Sequence, residues 1–201
     1  MLFKASKIKS LMKEAWKSTG LVVGSIDNEN GINEVYIGGI GWMISIDYLS
    51  MSKELKGAIV ELVGDIPLAG KEIISYKGYN QDQFGFYQTH NIREILKKEL
   101  AGYASVAADT NLIISDPAGA LRVYAYDNKI MTVLEKLNSA IDYGMIDSEN
   151  DGESLLAERI YVRDAEMDYL IWATESCYVA GFNIDPDEDN QALLYLRSIE
   201  R

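Results

Sequence analysis

Cysteine, histidine and proline are scarce in this chain of 201 residues, and each shortage excludes a class of structure. The single cysteine, Cys177, cannot form an intrachain disulfide, which fits a reducing compartment. It lies in an apolar strand pattern and is interpreted as a small buried hydrophobe. The single histidine, His90, excludes sites that need two histidines and is interpreted as a local hydrogen-bonding residue. With only three prolines, the chain has no proline-rich linker.

Long apolar runs and nucleotide-binding motifs are missing as well. No stretch approaches the roughly 18 apolar residues of a spanning helix, and the N-terminal segment lacks the apolar region of a signal peptide. We therefore expect a cytoplasmic protein. Residues 64–71 resemble a phosphate-binding loop but have one residue too many between the glycines, and residues 39–44 lack the third glycine of the dinucleotide fingerprint. Both segments are interpreted as turns, and no catalytic residue is predicted.

Basic residues are scarce only in the second half, which makes the charge of the chain one-sided. Residues 1–100 carry 12 basic and 12 acidic side chains, whereas residues 101–201 carry 7 and 19, so the second half accounts for the whole net charge of −12. Such a surface repels nucleic acid and anionic membranes and attracts basic partners. Solubility alone is an equally weighted explanation. Direct binding to nucleic acid or to a membrane is not expected.

The apolar pattern predicts an α+β fold. We expect an antiparallel or mixed sheet built from about three ββα-like units, covered by helices, with an N-terminal amphipathic helix. Apolar residues recur at helical spacing from Ala5 to Trp16, and Gly20 follows as a stop signal. We expect this basic helix to dock on its own domain. Residues 1–201 are expected to form one compact domain, with a subdivision into a neutral half (1–103) and an acidic half (112–201) as the alternative.

Three segments carry the predicted pattern of strand, turn, strand, acidic residue and helix. They are residues 35–62, 112–141 and 169–199. Residues 70–91, between the first two segments, are rich in aromatic side chains and predict a long connection. Long connections in compact domains are often functional, although these rings would also serve to cover the sheet.

In each segment the second strand ends in an aspartate: Asp47, Asp127 and Asp185. For at least the last two aspartates, helix capping is a simpler explanation than a catalytic role. Carboxylates at strand ends are nevertheless the candidate ligands for a divalent metal. A small metal-dependent hydrolase or transferase is therefore the alternative function.

Residues 147–158 match part of a calcium-loop pattern. Asp147, Glu149 and Asp151 stand at positions one, three and five, and Glu158 stands at position twelve. Glu149 and Ser154 depart from the usual residue types, and no second loop exists to pair with this one. A chance match is the favoured explanation, so we predict neither a metal ion nor a cofactor.

Residues 3–24 and 59–70 resemble segments of small acidic proteins carried by bacterial phages and mobile elements. The resemblance implies an accessory or counter-defence role. It covers about a third of the chain and brings no catalytic residues with it.

The charge and the absent motifs together predict a non-enzymatic interaction protein whose acidic half binds a basic protein. The most specific form of this prediction is an inhibitor of the anti-CRISPR or anti-restriction type, which mimics phosphates and blocks a nucleic-acid-binding enzyme. A structural accessory protein that forms homo-oligomers through its neutral half is a further alternative. The candidate partner-binding residues are Asp147, Glu149, Asp151, Glu153, Asp164, Glu166, Asp168, Asp187, Glu188 and Asp189.

Overall fold

The computed structural model describes residues 4–27, 33–83, 85–86, 102–108, 111–115, 121–125, 132, 135–137, 158–164, 167–173 and 177–183. These residues form helices α1 (Ala5–Ser18) and α2 (Lys53–Val63), a helical segment at 132 and 135–137, and eleven strands. The strands are β1 (Leu21–Asp27), β2 (Asn33–Gly39), β3 (Trp42–Asp47), β4 (Lys71–Tyr76), β5 (Tyr79–Gln83), β6 (Gly102–Ala108), β7 (Asn111–Ser115), β8 (Leu121–Ala125), β9 (Glu158–Asp164), β10 (Met167–Ala173) and β11 (Cys177–Asn183).

All eleven strands belong to a single sheet in the order β5-β4-β1-β2-β3-β11-β10-β9-β6-β7-β8. Every neighbouring pair is antiparallel. The first half of the chain forms five adjoining strands, and the second half forms the other six. The two sets meet where β3 pairs with β11, with Ile44 opposite Val179. The α+β prediction is confirmed.

Helix α1 buries one apolar stripe against the sheet and α2. Ile8, Leu11, Met12 and Ala15 recur at the three- and four-residue spacing that places side chains on one helical face, and all four are buried. The helix ends where Gly20 adopts a φ of +95° and donates its backbone N–H to Ala15 O at 2.8 Å. The predicted docking of this basic helix on its own domain is confirmed.

Helix α2 begins and ends with the local signals that its sequence provides. Ser52 caps the N-terminus, where its hydroxyl accepts the Leu55 N–H at 3.2 Å. At the other end Gly64, with a φ of +97°, donates to Val60 O at 2.9 Å. Among the helices in the described ranges, none is long and apolar enough to cross a membrane.

The core lies between the two helices and one face of the sheet. Val23, Ile37, Ile44 and Val179 form one row across β1, β2, β3 and β11, and each is buried. Successive strand residues point to opposite faces, so the intervening residues of these strands lie on the other face of the sheet. Cys177 belongs to the helix-side core and is buried, as its apolar strand pattern predicts.

The structure corrects the prediction for residues 70–91. Most of the predicted long connection is a hairpin in which β4 and β5 are joined by a tight turn, with Gly78 at a φ of +106°. The rings of Tyr76 and Tyr79, on either side of this turn, stack with their centroids 5.0 Å apart. Tyr76 and Tyr79 therefore belong to the sheet.

The predicted hairpins are present as β2–β3, β7–β8 and β10–β11. Helix α2 follows the first hairpin. Only residues 132 and 135–137 of the second predicted helix are described, and the third lies outside the described residues. The ββα repeat therefore stays a prediction.

Candidate functional site

Two of the ten predicted partner-binding acids lie in one β-hairpin. Asp164 is the last residue of β9, and its register partner Met167 opens β10. Asp168 follows in β10, opposite Arg163 of β9. Glu166, the third acid of this hairpin, lies in the connection and outside the described residues. The backbone thus places Asp164 and Asp168 at the same end of the sheet.

A second acidic stretch starts from that same end. β11 runs antiparallel to β10 and ends at Asn183, which is the register partner of Asp168. Asp187, Glu188 and Asp189 come four to six residues after Asn183 and lie outside the described residues. The described part of this arrangement is the pairing of Asp168 with the last residue of β11. We define Asp164, Glu166, Asp168, Asp187, Glu188 and Asp189 as the strand-end acids.

The other four predicted acids precede β9 in the sequence, and β9 begins at the end of the sheet opposite to Asp164. Asp147, Glu149, Asp151 and Glu153 lie outside the described residues and precede Glu158, which opens β9 opposite Ala173. A strand of seven residues spans about 20 Å between its first and last Cα atoms. The topology therefore divides the ten acids into two groups with separate points of attachment. We call this second group the loop acids.

Of the three aspartates predicted as alternative metal ligands, the structure describes Asp47 alone. Asp47 ends β3, and its Oδ1 accepts the Leu49 N–H at 3.0 Å, so this carboxylate stabilises a turn. Asp127 and Asp185 lie outside the described residues, and so does His90, which was predicted as a local hydrogen-bonding residue and not as a ligand. In the described ranges, no group of three or more His, Cys, Asp or Glu side chains could hold a metal ion.

The calcium-loop candidate also has little support in its surroundings. Glu158 is the first residue of strand β9, whereas an EF-hand loop continues into a helix. The other three candidate ligands, Asp147, Glu149 and Asp151, lie outside the described residues.

A row of polar residues on the sheet face opposite α1 and α2 was not predicted from sequence. Glu72, Gly24, Tyr36 and Ser45 are register partners across β4, β1, β2 and β3. The Tyr36 hydroxyl donates to Glu72 Oε2 at 2.7 Å, and the Phe86 backbone N–H donates to Glu72 Oε1 at 3.1 Å. These bonds connect β2, β4 and the chain beyond β5.

A second buried carboxylate lies beside this row. Glu34, two residues before Tyr36 in β2, accepts a hydrogen bond from the Ser45 hydroxyl. Glu34 is 1% exposed and Glu72 is 7% exposed. Because neither carboxylate is open to solvent, the row is suited to joining strands and not to meeting a substrate.

Two glycines make room for the rings that cover this face. A Cβ atom on Gly24 would lie 2.2 Å from the ring of Tyr36, and one on Gly38 would lie 2.2 Å from the ring of Phe86. Both glycines are visible in the sequence, but the strand register that opposes Gly24 to Tyr36 is not. The sequence therefore offered no signal for this network.

Cys177 is not suited to nucleophilic chemistry. Burial raises the pKa of the Cys177 thiol well above its ordinary value, and the negative charge of Glu34 acts in the same direction. The thiolate is the reactive form of cysteine, and it is suppressed in such an environment.

The basic side chains of α1 are partly neutralised within the neutral half. Lys9 Nζ lies 2.6 Å and Lys13 Nζ lies 3.0 Å from the two carboxylate oxygens of Glu61 in α2. Hydrogen bonds from Lys9 and Lys13 hold the pKa of Glu61 below its ordinary value.

Comparison of the chain with protein-family models, curated proteins and solved structures gave no match. Any functional conclusion therefore rests on the charge and topology of this chain.

Proposed function

We propose that this protein is a non-enzymatic binding protein whose acidic half occupies a basic surface of another protein. One observation carries the proposal: the net charge of −12 belongs to residues 101–201, whose strands β6–β11 occupy one continuous side of the sheet. The neutral half of the chain forms β1–β5 on the other side. A surface whose charge is concentrated on one side attracts and orients a basic partner more strongly than the same charge spread evenly.

In its specific form the proposal is phosphate mimicry by the strand-end acids. Asp164 and Asp168 lie at one end of two neighbouring strands, and such strands lie about 5 Å apart, while positions 187–189 follow the end of the next strand in sequence. Each strand of duplex DNA presents one phosphate charge about every 3.4 Å along the helix axis. Carboxylates spaced on this scale are suited to lysine and arginine sites that otherwise hold phosphates.

The partner that we propose is a nucleic-acid-binding enzyme in the bacterial cytoplasm. The resemblance of residues 3–24 and 59–70 to acidic proteins of phages and mobile elements favours a role in counter-defence. Inhibition would then result from occupation of the nucleic-acid site, and no reaction on the partner is required.

The experiment is affinity capture followed by competition. Immobilised protein is incubated with nuclease-treated bacterial lysate, and the retained proteins are challenged first with excess duplex DNA and then with salt. We expect release of a nucleic-acid-binding enzyme by the duplex, and release by about 0.5 M salt, where charges separated by more than about 4 Å are largely screened. A retained partner that excess DNA does not displace would contradict mimicry.

Matched variants distinguish the acidic groups. In one variant Asp164, Glu166 and Asp168 are changed to their amides, and in a second variant Asp147, Glu149 and Asp151 are changed. The control changes Glu54, Asp65 and Asp82, which are exposed acids of the neutral half, so all three variants lose three charges. We expect the first variant to weaken partner binding at least about tenfold and the control to retain it. Equal losses of partner binding in all three variants would show that binding depends on net charge alone and not on which acids are changed.

A further inference from the structure

Strand β5 forms one edge of the sheet, and β8 forms the other. Asn80, Gln81 and Asp82 are exposed, and the side chain of Tyr79 is 57% exposed. Within the described ranges, β5 pairs with β4 on its inner side, and no backbone hydrogen bond reaches its outer side. An edge of this kind presents N–H and C=O groups that can pair with another strand.

The register of the β4–β5 hairpin shows which backbone groups face outward. Tyr76 and Tyr79 flank a two-residue turn, so they exchange both backbone hydrogen bonds as the first pair of the ladder. Such pairs alternate along an antiparallel ladder, so the backbone groups of Gln81 also point toward β4. The N–H and C=O groups of Asn80 and Asp82 therefore point outward, beyond the edge of the sheet.

Strand β5 is held firmly in place and has few of the features that usually protect an edge. Asn80 Oδ1 accepts the Ser75 hydroxyl at 2.6 Å, and Asn80 Nδ2 donates to Val63 O at 2.7 Å, which ties β5 to the end of α2. A strand that is already fixed loses little conformational entropy when it pairs. β5 contains no proline or lysine, its single charge is Asp82, and its register with β4 runs without a bulge.

The sequence of β5 is complementary to a second copy of itself. When two β5 strands pair antiparallel about Gln81, Gln81 of one copy lies opposite Gln81 of the other, and Asn80 lies opposite Asp82. Both outward N–H groups and both outward C=O groups of each copy then have partners. The two Asp82 residues are diagonal neighbours about 7–8 Å apart, close to the screening length of about 8 Å at physiological salt. No like charges lie directly opposite each other in this register.

Charge also favours the β5 edge for contact between copies. β5 belongs to the half of the sequence with 12 basic and 12 acidic residues, whereas the strands of the acidic half begin beyond β3, at β11. Four strands lie between β5 and β11, so these two strands are roughly 24 Å apart. This distance is about three screening lengths, so repulsion between the β6–β11 strands of two copies is weak when the copies meet at β5.

We propose that two copies of this chain form a symmetric dimer by antiparallel pairing of their β5 strands about Gln81, which joins their sheets into one. Stable protein interfaces bury about 1,200–2,000 Å², and a pair of five-residue strands buries far less. We therefore expect a dissociation constant on the order of 0.1–1 mM. The dimer does not rest on the partner-binding role of the acidic half, so the two proposals stand or fail separately.

The test measures mass and amide exchange of the full chain as the concentration rises. Sedimentation velocity should show the monomer passing into a dimer between about 10 µM and about 1 mM. At about 1 mM, NMR should show the Asn80 and Asp82 amides exchanging about two- to fivefold more slowly than at infinite dilution. The Gln81 amide, which is already bonded to β4, should keep its rate. A chain that stays monomeric at about 1 mM, or Asn80 and Asp82 amides whose exchange does not depend on concentration, would overturn the proposal.

A proline at position 82 tests the register. Asp82→Pro removes an outward N–H, and because this N–H does not bond to β4, the hairpin can accommodate the proline. We expect the dissociation constant of the dimer to rise at least about tenfold. Asp82→Asn is the matched control, because it keeps the N–H and removes the charge. This variant should dimerise at least as tightly as the unaltered protein.

Gln81→Lys is a second test, which also applies if Asp82→Pro does not fold. It places two like charges directly opposite each other, so the dimer should weaken at low salt and recover as salt screens the charges. Leu68→Lys adds the same charge at a side chain that is 80% exposed and lies outside β5, and it should retain the dimer. A dimer of unchanged affinity in both Asp82→Pro and Gln81→Lys would locate the contact elsewhere and overturn the proposal.

Discussion

Tyr36 of β2 and Glu72 of β4 are joined by a hydrogen bond of 2.7 Å that passes over the intervening strand β1 at Gly24. The bond is geometrically allowed because Gly24 carries no side chain at the point where the tyrosine ring crosses β1. A single glycine therefore controls whether two strands that are not neighbours exchange a buried polar contact. This relationship gives the first two predictions.

Replacing Gly24 with alanine should destabilise the protein. The new Cβ atom would lie 2.2 Å from the Tyr36 ring, so the ring must move and the hydrogen bond to Glu72 must lengthen or break. Overpacking of this kind costs about 1–3 kcal/mol, and the weakened hydrogen bond adds to that cost. We expect the free energy of unfolding, measured by urea titration, to fall by about 2–4 kcal/mol.

Gly57→Ala is the matched control for this prediction. Gly57 lies inside α2, is exposed, and has no neighbouring atom within 4 Å of a built Cβ position. Alanine is favoured over glycine in a helix interior, so this variant should gain about 0.5–1 kcal/mol. If Gly24→Ala were as stable as Gly57→Ala, the described crossing of Tyr36 over β1 would be wrong.

Removing the Tyr36 hydroxyl tests the hydrogen bond without a steric change. Tyr36→Phe takes away the donor to Glu72 Oε2, while Oε1 keeps the Phe86 N–H. Leaving a buried acceptor without its donor costs about 1–3 kcal/mol. Tyr79→Phe removes the same atom from a ring that is 57% exposed, and its effect should stay within about 0.5 kcal/mol. Equal effects of the two substitutions on the urea midpoint would contradict the proposed role of this bond.

Local patterns predicted those parts of the fold that depend on local physics. The α1 stripe from Ala5 to Ala15 and the stop at Gly20 follow from helical periodicity and from the conformational freedom of glycine. The hairpins β2–β3, β7–β8 and β10–β11 follow from short apolar segments on either side of turn residues. These features need no knowledge of distant residues.

The parts that were not predicted depend on pairing between distant segments. β4 places Glu72 and Ser75 among apolar residues, so its composition alone does not identify a strand beside β1. β6 pairs with β9 although more than 50 residues separate them, and neither strand was predicted. The polar row of Glu72, Tyr36 and Ser45 exists only in that long-range register, which a single sequence does not encode in a readable form.

The same distinction applies to the candidate site. The excess of acids in residues 101–201 is readable directly from the sequence, and it carries the functional proposal. Their division into strand-end acids and loop acids depends on the antiparallel order of β9, β10 and β11.

Lys9 and Lys13 of α1 should determine the titration of Glu61. Hydrogen bonds from Lys9 and Lys13 lower the pKa of Glu61, so Lys9→Met with Lys13→Met should raise it toward its ordinary value of about 4.3. A lowered pKa favours the folded state above about pH 4.3, and this contribution is lost as the pH falls through the folded-state pKa. Carboxyl-carbon NMR titration measures the shift directly.

Lys7→Met is the control for this titration. Lys7 is exposed on the same helix and, in the described part of the chain, forms no ion pair. Its replacement removes one positive charge from α1 without removing a hydrogen bond to Glu61. The pKa of Glu61 should therefore change less in this variant than in the double variant, and an equal change would assign the effect to net charge alone.

Cys177 should resist thiol reagents until the protein unfolds. Burial raises the pKa of its thiol, so the native protein at pH 8 should react with a disulfide reagent far more slowly than a free cysteine, whose pKa is about 8.5.

The same raised pKa of the Cys177 thiol makes stability depend on pH. Above about pH 8.5 the unfolded chain loses the thiol proton and the folded chain keeps it, so the free energy of unfolding should fall as the pH rises. Cys177→Ala should weaken that decline between about pH 8 and pH 10, as measured by urea titration. Rapid labelling of Cys177 in the native protein would contradict a buried neutral thiol. So would a free energy of unfolding that declines with pH as steeply in Cys177→Ala as in the unaltered protein.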